Sequence, residues 1–258
     1  MKTNKSILIA CFLFFVSAFS EGATLLQGVP AYAWYHGCEP TSEGMIMGYW
    51  DLHGYPNLFN ATGNSVYLTS SVQDEISSPA HNAAYDGTDT GATVPLTSIA
   101  DWLGTSKDPL SFGSSSATNA GAAIVGYTAF KGYTFQTSNK SYSSTWATIV
   151  NEVNAGRPIL VFVDSDGNGV FDHAIPVFGY DENRNGDGAY YACYNTGGED
   201  ETPIWYKFQS YVGGGKPYGV YGSIQIIPES APVPEPETTT LALVASTTIL
   251  LCRRRQNF

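Results

Sequence analysis

The distribution of apolar and polar positions divides the chain into an N-terminal part that predicts helices and a C-terminal part that predicts strands. Apolar residues recur at helical spacing from Cys38, near Thr97, weakly near Ala117, and from Ser143 or Ser144. Short apolar or alternating runs predict strands over residues 133–136, 159–163, 174–180, 189–194, 205–208 and 221–227. Residues 54–94 are rich in Asn, Ser, Asp and Gly, which predicts loops with short strands. Helices first and antiparallel strands second indicate an α+β domain.

The N-terminus has the pattern of a secretory signal. Lys2 and Lys5 precede a nearly continuous apolar run over residues 7–19. That run is short for a membrane span of roughly 20 residues. We therefore predict a signal peptide over residues 1–20, with export through the Sec machinery, and keep an N-terminal anchor as the alternative.

The C-terminus carries a second apolar segment. The sequence Pro-Glu-Pro at 234–236 precedes an apolar stretch at 241–252 and three arginines at 253–255. Arginines that follow a short apolar helix are expected to stay on the cytoplasmic side. The predicted divisions are 1–20, signal peptide; 21–228, folded domain; 229–237, linker with the Pro-Glu-Pro motif; 238–258, hydrophobic segment with a basic end.

This C-terminal order resembles the PEP-CTERM sorting tail found on exported proteins of Gram-negative bacteria. The resemblance implies transient anchoring in the inner membrane, recognition by an exosortase-type enzyme, and removal of the tail. The protein would then be delivered to the cell envelope or the extracellular space. A permanent C-terminal anchor is the alternative.

Charge narrows the range of partners. Residues 21–237 carry 23 acidic and 7 basic residues, a formal net charge of −16. Such a surface repels nucleic acid and anionic lipid, so we expect neither as a partner. The roughly 210 residues between the two ends suffice for one domain with a full core.

One cysteine opens the clearest predicted helix. Gly37 allows a tight turn before Cys38, and Pro40 is tolerated in a first helical turn. The helix dipole lowers the pKa of a thiol in this position and favours the nucleophilic thiolate. The predicted domain has one other cysteine, Cys193, inside an apolar-aromatic run that predicts a buried strand. Because exported proteins form disulfides, a Cys38–Cys193 bridge is the alternative.

Three short motifs, in this order, resemble the peptidase C39-like branch of the papain-like cysteine peptidases. They are Gly37-Cys38-Glu39-Pro40-Thr41, Gly156-Arg157-Pro158 before a strand, and His173-Ala174 leading to Gly179-Tyr180-Asp181. The resemblance covers roughly residues 29–195. It implies a papain-like fold, with an N-terminal helical part packed on an antiparallel sheet, and hydrolysis of a peptide or protein substrate.

The resemblance also implies a catalytic set. Cys38 would be the nucleophile, His173 its general base and later acid, and Asn195 the group that orients the imidazole. Asp181 is the reserve candidate for the orienting role. Asp172 is excluded from it, because successive side chains of a strand point to opposite faces.

One feature departs from the family pattern. Relatives carry a Gln several residues before the cysteine as a second oxyanion donor, whereas Tyr32 stands six residues before Cys38. Loss of such a donor costs about 10²–10³ in rate. Trp34, Tyr35 and His36 are the candidate substitutes. The alternatives are an inactive member that binds peptides or envelope polymers, a disulfide-bridged adhesion or matrix protein, and an enzyme that transfers acyl groups.

Two acidic turns match the first half of a calcium loop. Their oxygen-bearing residues are Asp164, Asp166 and Asn168 in one turn and Asp181, Asn183 and Asn185 in the other. Neither turn has the Glu that completes a calcium loop at its twelfth position. Ordinary Asp/Asn/Gly turns need no metal, so we expect no cofactor and keep Ca²⁺ as the alternative.

Overall fold

The computed structural model describes residues 22–59, 69–87, 94–197 and 202–229. Residues 1–20 and 238–258, with their predicted signal and sorting segments, lie outside this part of the chain. Among the described residues, no helix is both long enough and apolar enough to cross a membrane. The helices there are α1 Cys38–Leu52, α2 Ser70–Ile76, α3 Pro79–Tyr85, α4 Ile99–Leu103, α5 Ala120–Phe130 and α6 Tyr142–Asn154.

The strands form one antiparallel sheet. They are β1 Thr24–Leu25, β2 Phe135–Ser141, β3 Ile159–Asp164, β4 His173–Asp181, β5 Tyr190–Cys193, β6 Ile204–Lys207 and β7 Gly219–Pro228. Their spatial order is β2-β7-β3-β4-β5-β6, and the short β1 pairs with the end of β4. The central position of β4 places its first residue, His173, within the sheet.

Both faces of the sheet are covered, which explains the uninterrupted apolar sequence of β3. Leu160 and Phe162 pack in the core cluster that contains α1, α2, α4 and α5. Ile159, Val161 and Val163 pack in the cluster that contains α6. Strands buried on two faces are apolar throughout rather than alternating. The predicted α+β fold, with helices on an antiparallel sheet, is confirmed.

The prediction of loops and short strands over residues 54–94 is wrong in part. Two seven-residue helices, α2 and α3, occur there. Each is started by a side-chain cap: Thr69 accepts a hydrogen bond from Val72 N–H, and Ser78 accepts one from His81 N–H. Helices this short have too few turns for an apolar period to be visible in the sequence.

Candidate active site

The turn before α1 determines where Cys38 lies. Gly37 has φ +144°, and a Cβ there would lie 2.6 Å from the carbonyl oxygen of Gly113. Thr41 stabilises the same turn, because its hydroxyl donates to the Gly37 carbonyl at 2.6 Å and accepts from Tyr35 N–H at 2.9 Å. The glycine and threonine of the first motif therefore place Cys38 as the first residue of α1.

A hydrogen bond links α1 to the strand that carries the histidine. Ser42, one helical turn after Cys38, donates from its hydroxyl to the carbonyl of Ala174 at 2.8 Å. Ala174 directly follows His173 on β4. This contact brings the first turn of α1 to the start of β4.

Strand pairing brings His173 and Asn195 together. β4 and β5 are antiparallel neighbours, so the start of β4 and the residues after β5 lie at the same end of the sheet. There His173 Nε2 is 2.9 Å from Asn195 Oδ1. Because an amide oxygen only accepts hydrogen bonds, Nε2 carries the hydrogen and Nδ1 of the neutral ring is free to take a proton.

Cys38 and His173 line the same cavity, which has a volume of about 310 Å³. The other lining residues are Glu39, Ser114, Ser115, Ala117, Phe162, Phe171, Asp172 and Ala174. A second cavity of about 430 Å³ shares Ala117, Phe162 and Phe171 with the first, so the two adjoin. Asn195 lines neither cavity and contacts the site through its hydrogen bond with His173.

Burial sets the protonation of the pair. It raises the pKa of the Cys38 thiol, and a hydrogen bond from Ala174 N–H opposes this only in part. It also lowers the pKa of His173, and the hydrogen bond that His173 donates to Asn195 opposes this. The direction for Cys38 is opposite to the lowered thiol pKa that the helix N-terminus predicts, because burial disfavours the thiolate. Both directions favour a thiol and a neutral imidazole in the resting pair.

Tyr32 does not take the place of the missing glutamine. Its side chain is fully buried, and its hydroxyl lies against Gly48 of α1. Ten residues of helix separate Gly48 from Cys38, roughly 15 Å along the axis. Tyr35 and His36 also fail to line the cavity: the Tyr35 hydroxyl accepts from Asn82, and the His36 ring packs edge-on against Tyr35.

Two serines supply the hydroxyl groups of the cavity wall. Ser114 and Ser115 follow Gly113, which packs against the backbone of His36 and Gly37. Ser115 shares a hydrogen bond of 2.9 Å with Thr105. Ser114 is exposed and lies in the segment that contacts the turn before the nucleophile.

Asp181 lies away from this site, whereas Asp172 lines its cavity without orienting His173. Asp181 is at the opposite end of β4 from His173, roughly 26 Å away along the strand. Asp172 accepts hydrogen bonds from Ser165 N–H and from the Ser165 hydroxyl. The His173 ring instead has Asn195 as its hydrogen-bond partner.

The calcium candidates are held by turn hydrogen bonds. The Asp164 carboxylate accepts from the N–H groups of Gly167, Asn168 and Gly169. Asp181 accepts from the N–H of Asn183. Within the described ranges, no three His, Cys, Asp or Glu side chains are grouped so that they could hold a metal ion. Turn chemistry accounts for these residues, and calcium binding stays a prediction.

The two cysteines lie on opposite faces of the sheet. Cys193 is fully buried in the cluster that contains α6, whereas Cys38 belongs to the helix packed on the other face. Both thiols are free, and the Cys193 thiol donates to the Ile204 carbonyl at 3.8 Å. The disulfide alternative is therefore wrong, because the sheet separates its two sulfur atoms.

Sequence reasoning missed two side chains of this region. Tyr218 accepts a hydrogen bond of 2.5 Å from Asn195 Nδ2, although it follows a glycine-rich loop without a recognisable motif. Glu39 was quoted only as part of the first motif, yet it is buried and lines the cavity. Its spacing of four residues from Glu43, on a helix that continues with the apolar run at 45–47, was the available signal.

Comparison with known proteins agrees with this geometry. The model of the Peptidase_C39 like family matches residues 26–213, which include α1, β4 and β5. No curated protein matches the chain. A match over most of the chain, to a domain with this α+β architecture, shows that the protein belongs to the Peptidase_C39 like family.

Proposed function

We propose that the protein is an exported cysteine peptidase that hydrolyses peptide bonds through a thioester on Cys38. The observation that carries the proposal is the hydrogen bond between His173 and Asn195 beside the cavity that Cys38 also lines. Membership of a peptidase-like family supports the same reaction class.

The neutral resting pair defines the first step. His173 Nδ1 takes the thiol proton as Cys38 Sγ attacks the carbonyl carbon of the scissile bond. The tetrahedral oxyanion accepts a hydrogen bond from the backbone N–H of Cys38. The imidazolium then gives its proton to the leaving amine, which leaves a thioester. Water, deprotonated by His173, attacks the thioester, releases the acid and restores the thiol.

Asn195 acts through His173. Its Oδ1 accepts from Nε2–H, which selects the tautomer whose Nδ1 is basic. It also stabilises the imidazolium that forms in each half of the reaction. For the second oxyanion donor we propose the Ser114 hydroxyl, because Ser114 lines the cavity beside the turn that precedes Cys38.

Export and sorting complete the proposal. We propose that residues 1–20 direct Sec export and that an exosortase-type enzyme removes the segment after the Pro-Glu-Pro motif, which places the enzyme in the cell envelope or outside a Gram-negative cell. Intact mass analysis of the protein from envelope and medium fractions tests this. A mature chain that starts near residue 21 and ends near residue 237 supports it, and a chain that retains both ends contradicts it.

The catalytic test combines a peptide library with mass analysis of the protein. Wild-type protein is expected to cleave library peptides and to carry an acyl group on Cys38 after acid quenching, while Cys38→Ser does neither. His173→Ala should lower the cleavage rate by about 10²-fold or more. Cleavage that survives Cys38→Ser would contradict the proposal. Added amines would appear in the products if the enzyme transfers acyl groups.

A second candidate function follows from the position of Tyr32. With that side chain packed against Gly48, the site lacks the upstream side-chain donor of its relatives, which favours a member that binds peptides without cleaving them. The same library distinguishes the two functions. Peptides that are retained by wild-type protein and recovered intact would support binding alone.

A further inference from the structure

A buried acidic side chain lines the cavity next to the nucleophile. Glu39 is 4% exposed, and its Oε1 has no hydrogen-bond partner among the described residues. Glu43, one helical turn further on, is 1% exposed, and its Oε1 also lacks a described partner. Two carboxyl groups are thus buried on one face of α1 without a neutralising cation.

No described Lys or Arg compensates these carboxyl groups. Lys140 lines the adjoining cavity, and no described Lys or Arg side chain lines the one that contains Glu39, where His173 is the basic group. Burial raises the pKa of Glu39 to about 7, and burial together with Glu39 raises the pKa of Glu43 well above its usual range. Both carboxyl groups therefore favour the protonated form, and a cation paired with Glu39 would displace its proton.

The walls of the cavity indicate which kind of cationic group would fit beside Glu39. Phe162, Phe171 and Ala174 supply apolar surface to the cavity that Glu39 also lines. A group that fits such walls has an apolar stem and a charged tip, as the side chains of arginine and lysine do. The net charge of −16 over residues 21–237 also attracts cationic substrates to the protein.

We propose that this cavity is a specificity site in which Glu39 pairs with the cationic tip of an arginine or lysine side chain of the substrate. The inference rests on the proposed function of Cys38, because it assigns the substrate class of the same site. Glu39 contacts the substrate side chain and takes no part in bond breaking. A cation-bearing residue close to the scissile bond is therefore the recognised feature.

The pairing has a defined pH dependence. The charged or titratable groups that face Glu39 are Glu43 and Cys38 from α1, His173 from β4, and Asp172 from the turn before β4. Asp172 is already hydrogen bonded to Ser165. A cation pairs with the ionised form of Glu39, so binding expels a proton and should tighten as the pH rises through about 7.

Paired peptides test the inference. Each fluorescein-labelled peptide carries one arginine, placed in turn at each of the four positions on either side of the scissile bond. A matched peptide carries citrulline, a neutral isostere, at the same position. Affinity for the Cys38→Ala protein is measured by fluorescence anisotropy, so turnover does not interfere. At one position, arginine should bind roughly 10-fold more tightly than citrulline at pH 8.

Matched variants assign the preference to Glu39. Glu39→Gln, added to Cys38→Ala, should reduce the arginine-to-citrulline ratio to about one. Glu43→Gln should keep the ratio and move its pH dependence to lower pH, because Glu39 loses the neighbouring carboxyl. An unchanged ratio in Glu39→Gln, or a preference for citrulline at every position, would overturn the inference.

A second test of the inference uses wild-type protein, without any substitution in α1. Alkylation of Cys38 by a cationic thiol reagent is compared with that by its neutral analogue from pH 5.5 to 8.5. The cationic-to-neutral rate ratio should rise roughly 10-fold across this range, and a flat ratio counts against the inference. Cleavage without an arginine preference would contradict only this inference. An arginine preference without cleavage would contradict only the proposed peptidase activity.

Discussion

Tyr218 accepts a hydrogen bond of 2.5 Å from Asn195 Nδ2 and thereby fixes which amide atom of Asn195 faces His173. The Tyr218 ring is itself held by a stack on Tyr206, with ring centroids 3.8 Å apart. Its backbone carbonyl accepts from the Tyr191 hydroxyl at 2.8 Å. The orientation of His173 thus depends on a chain of contacts that begins in the tyrosine cluster at the end of the sheet.

Removal of the Tyr218 hydroxyl should weaken this orientation. We expect Tyr218→Phe to slow iodoacetamide alkylation of Cys38 at pH 8 by about 3- to 10-fold, since Asn195 can then turn its amide. Asn195→Ala should slow it by about 10-fold or more. In the Asn195→Ala background, Tyr218→Phe should have no further effect, because the two residues act through one contact.

Tyr190→Phe is the matched control for that experiment. Its hydroxyl donates to Asp187 on the surface, away from His173. This variant should leave the alkylation rate unchanged. Additive effects of Tyr218→Phe and Asn195→Ala would show that Tyr218 does not act through Asn195.

The pKa directions of Cys38 and His173 predict how thiol reactivity depends on pH. Burial raises the pKa of the thiol and lowers that of the imidazole, so the thiolate fraction is small at acid pH. Alkylation of Cys38 should therefore rise about tenfold per pH unit between pH 6 and 8, without a plateau at low pH. A fast plateau near pH 5 would mean a thiolate–imidazolium pair. Cys193, fully buried, should stay unlabelled throughout.

The elements with a clear apolar period were predictable, and the short ones were not. The apolar residues of α6 recur on one face, and β3 is continuously apolar, so local sequence sufficed for both. By contrast, α2 packs through Ile76 against Gly44 of α1, where a Cβ would lie 2.7 Å from Ile76 Cγ1. That contact joins segments that are distant in the sequence, and nothing in the local sequence of α2 indicates it.

The residues of the candidate site also differ in how far the sequence predicts them. Cys38, His173 and Asn195 could be proposed from motif order, because neighbouring antiparallel strands bring His173 and Asn195 to one end of the sheet. The burial of Glu39 and the hydrogen bond between Tyr218 and Asn195 arise from tertiary packing. Electrostatics also depends on that packing: burial raises the pKa of Cys38, which its position at the start of a helix does not indicate.

The buried acidic pair should make stability fall as the pH rises. In the folded protein the pKa values of Glu39 and Glu43 lie above the unfolded value of 4.5, so the folded state binds more protons above that pH. The free energy of unfolding should then decrease from pH 4.5 through about pH 7. Glu39 alone contributes a loss on the order of 3 kcal/mol at pH 8, because its pKa is raised from 4.5 to about 7.

Glu43→Gln should remove much of the loss from this pair. Thermal unfolding at pH 5 and pH 8 is expected to give a decrease in Tm that is smaller by roughly 5 °C in Glu43→Gln than in wild type. Glu182→Gln, on an exposed turn, is the control and should follow wild type. Equal decreases in all three proteins would contradict the assignment.

Calcium should have little effect on stability. The Asp164 oxygens already accept from three backbone N–H groups, which satisfies the carboxylate without a metal. We expect Tm to differ by less than about 1 °C between 5 mM EGTA and 5 mM CaCl₂. An increase of several degrees with calcium, abolished by Asp164→Asn, would instead establish a calcium loop.

Tyr32→Gln tests whether the sequence position or the fold determines the oxyanion donor. A glutamine six residues before Cys38 restores the family pattern, but in this fold it would replace a fully buried ring packed against Phe59 and Gly48. We expect a loss of about 3–5 kcal/mol in the free energy of unfolding and no gain in peptide cleavage. Tyr32→Phe, which keeps the ring, should cost much less. Faster cleavage by Tyr32→Gln would mean that this side chain can reach the oxyanion, and that the position of Tyr32 beside Gly48 is not the one that matters for catalysis.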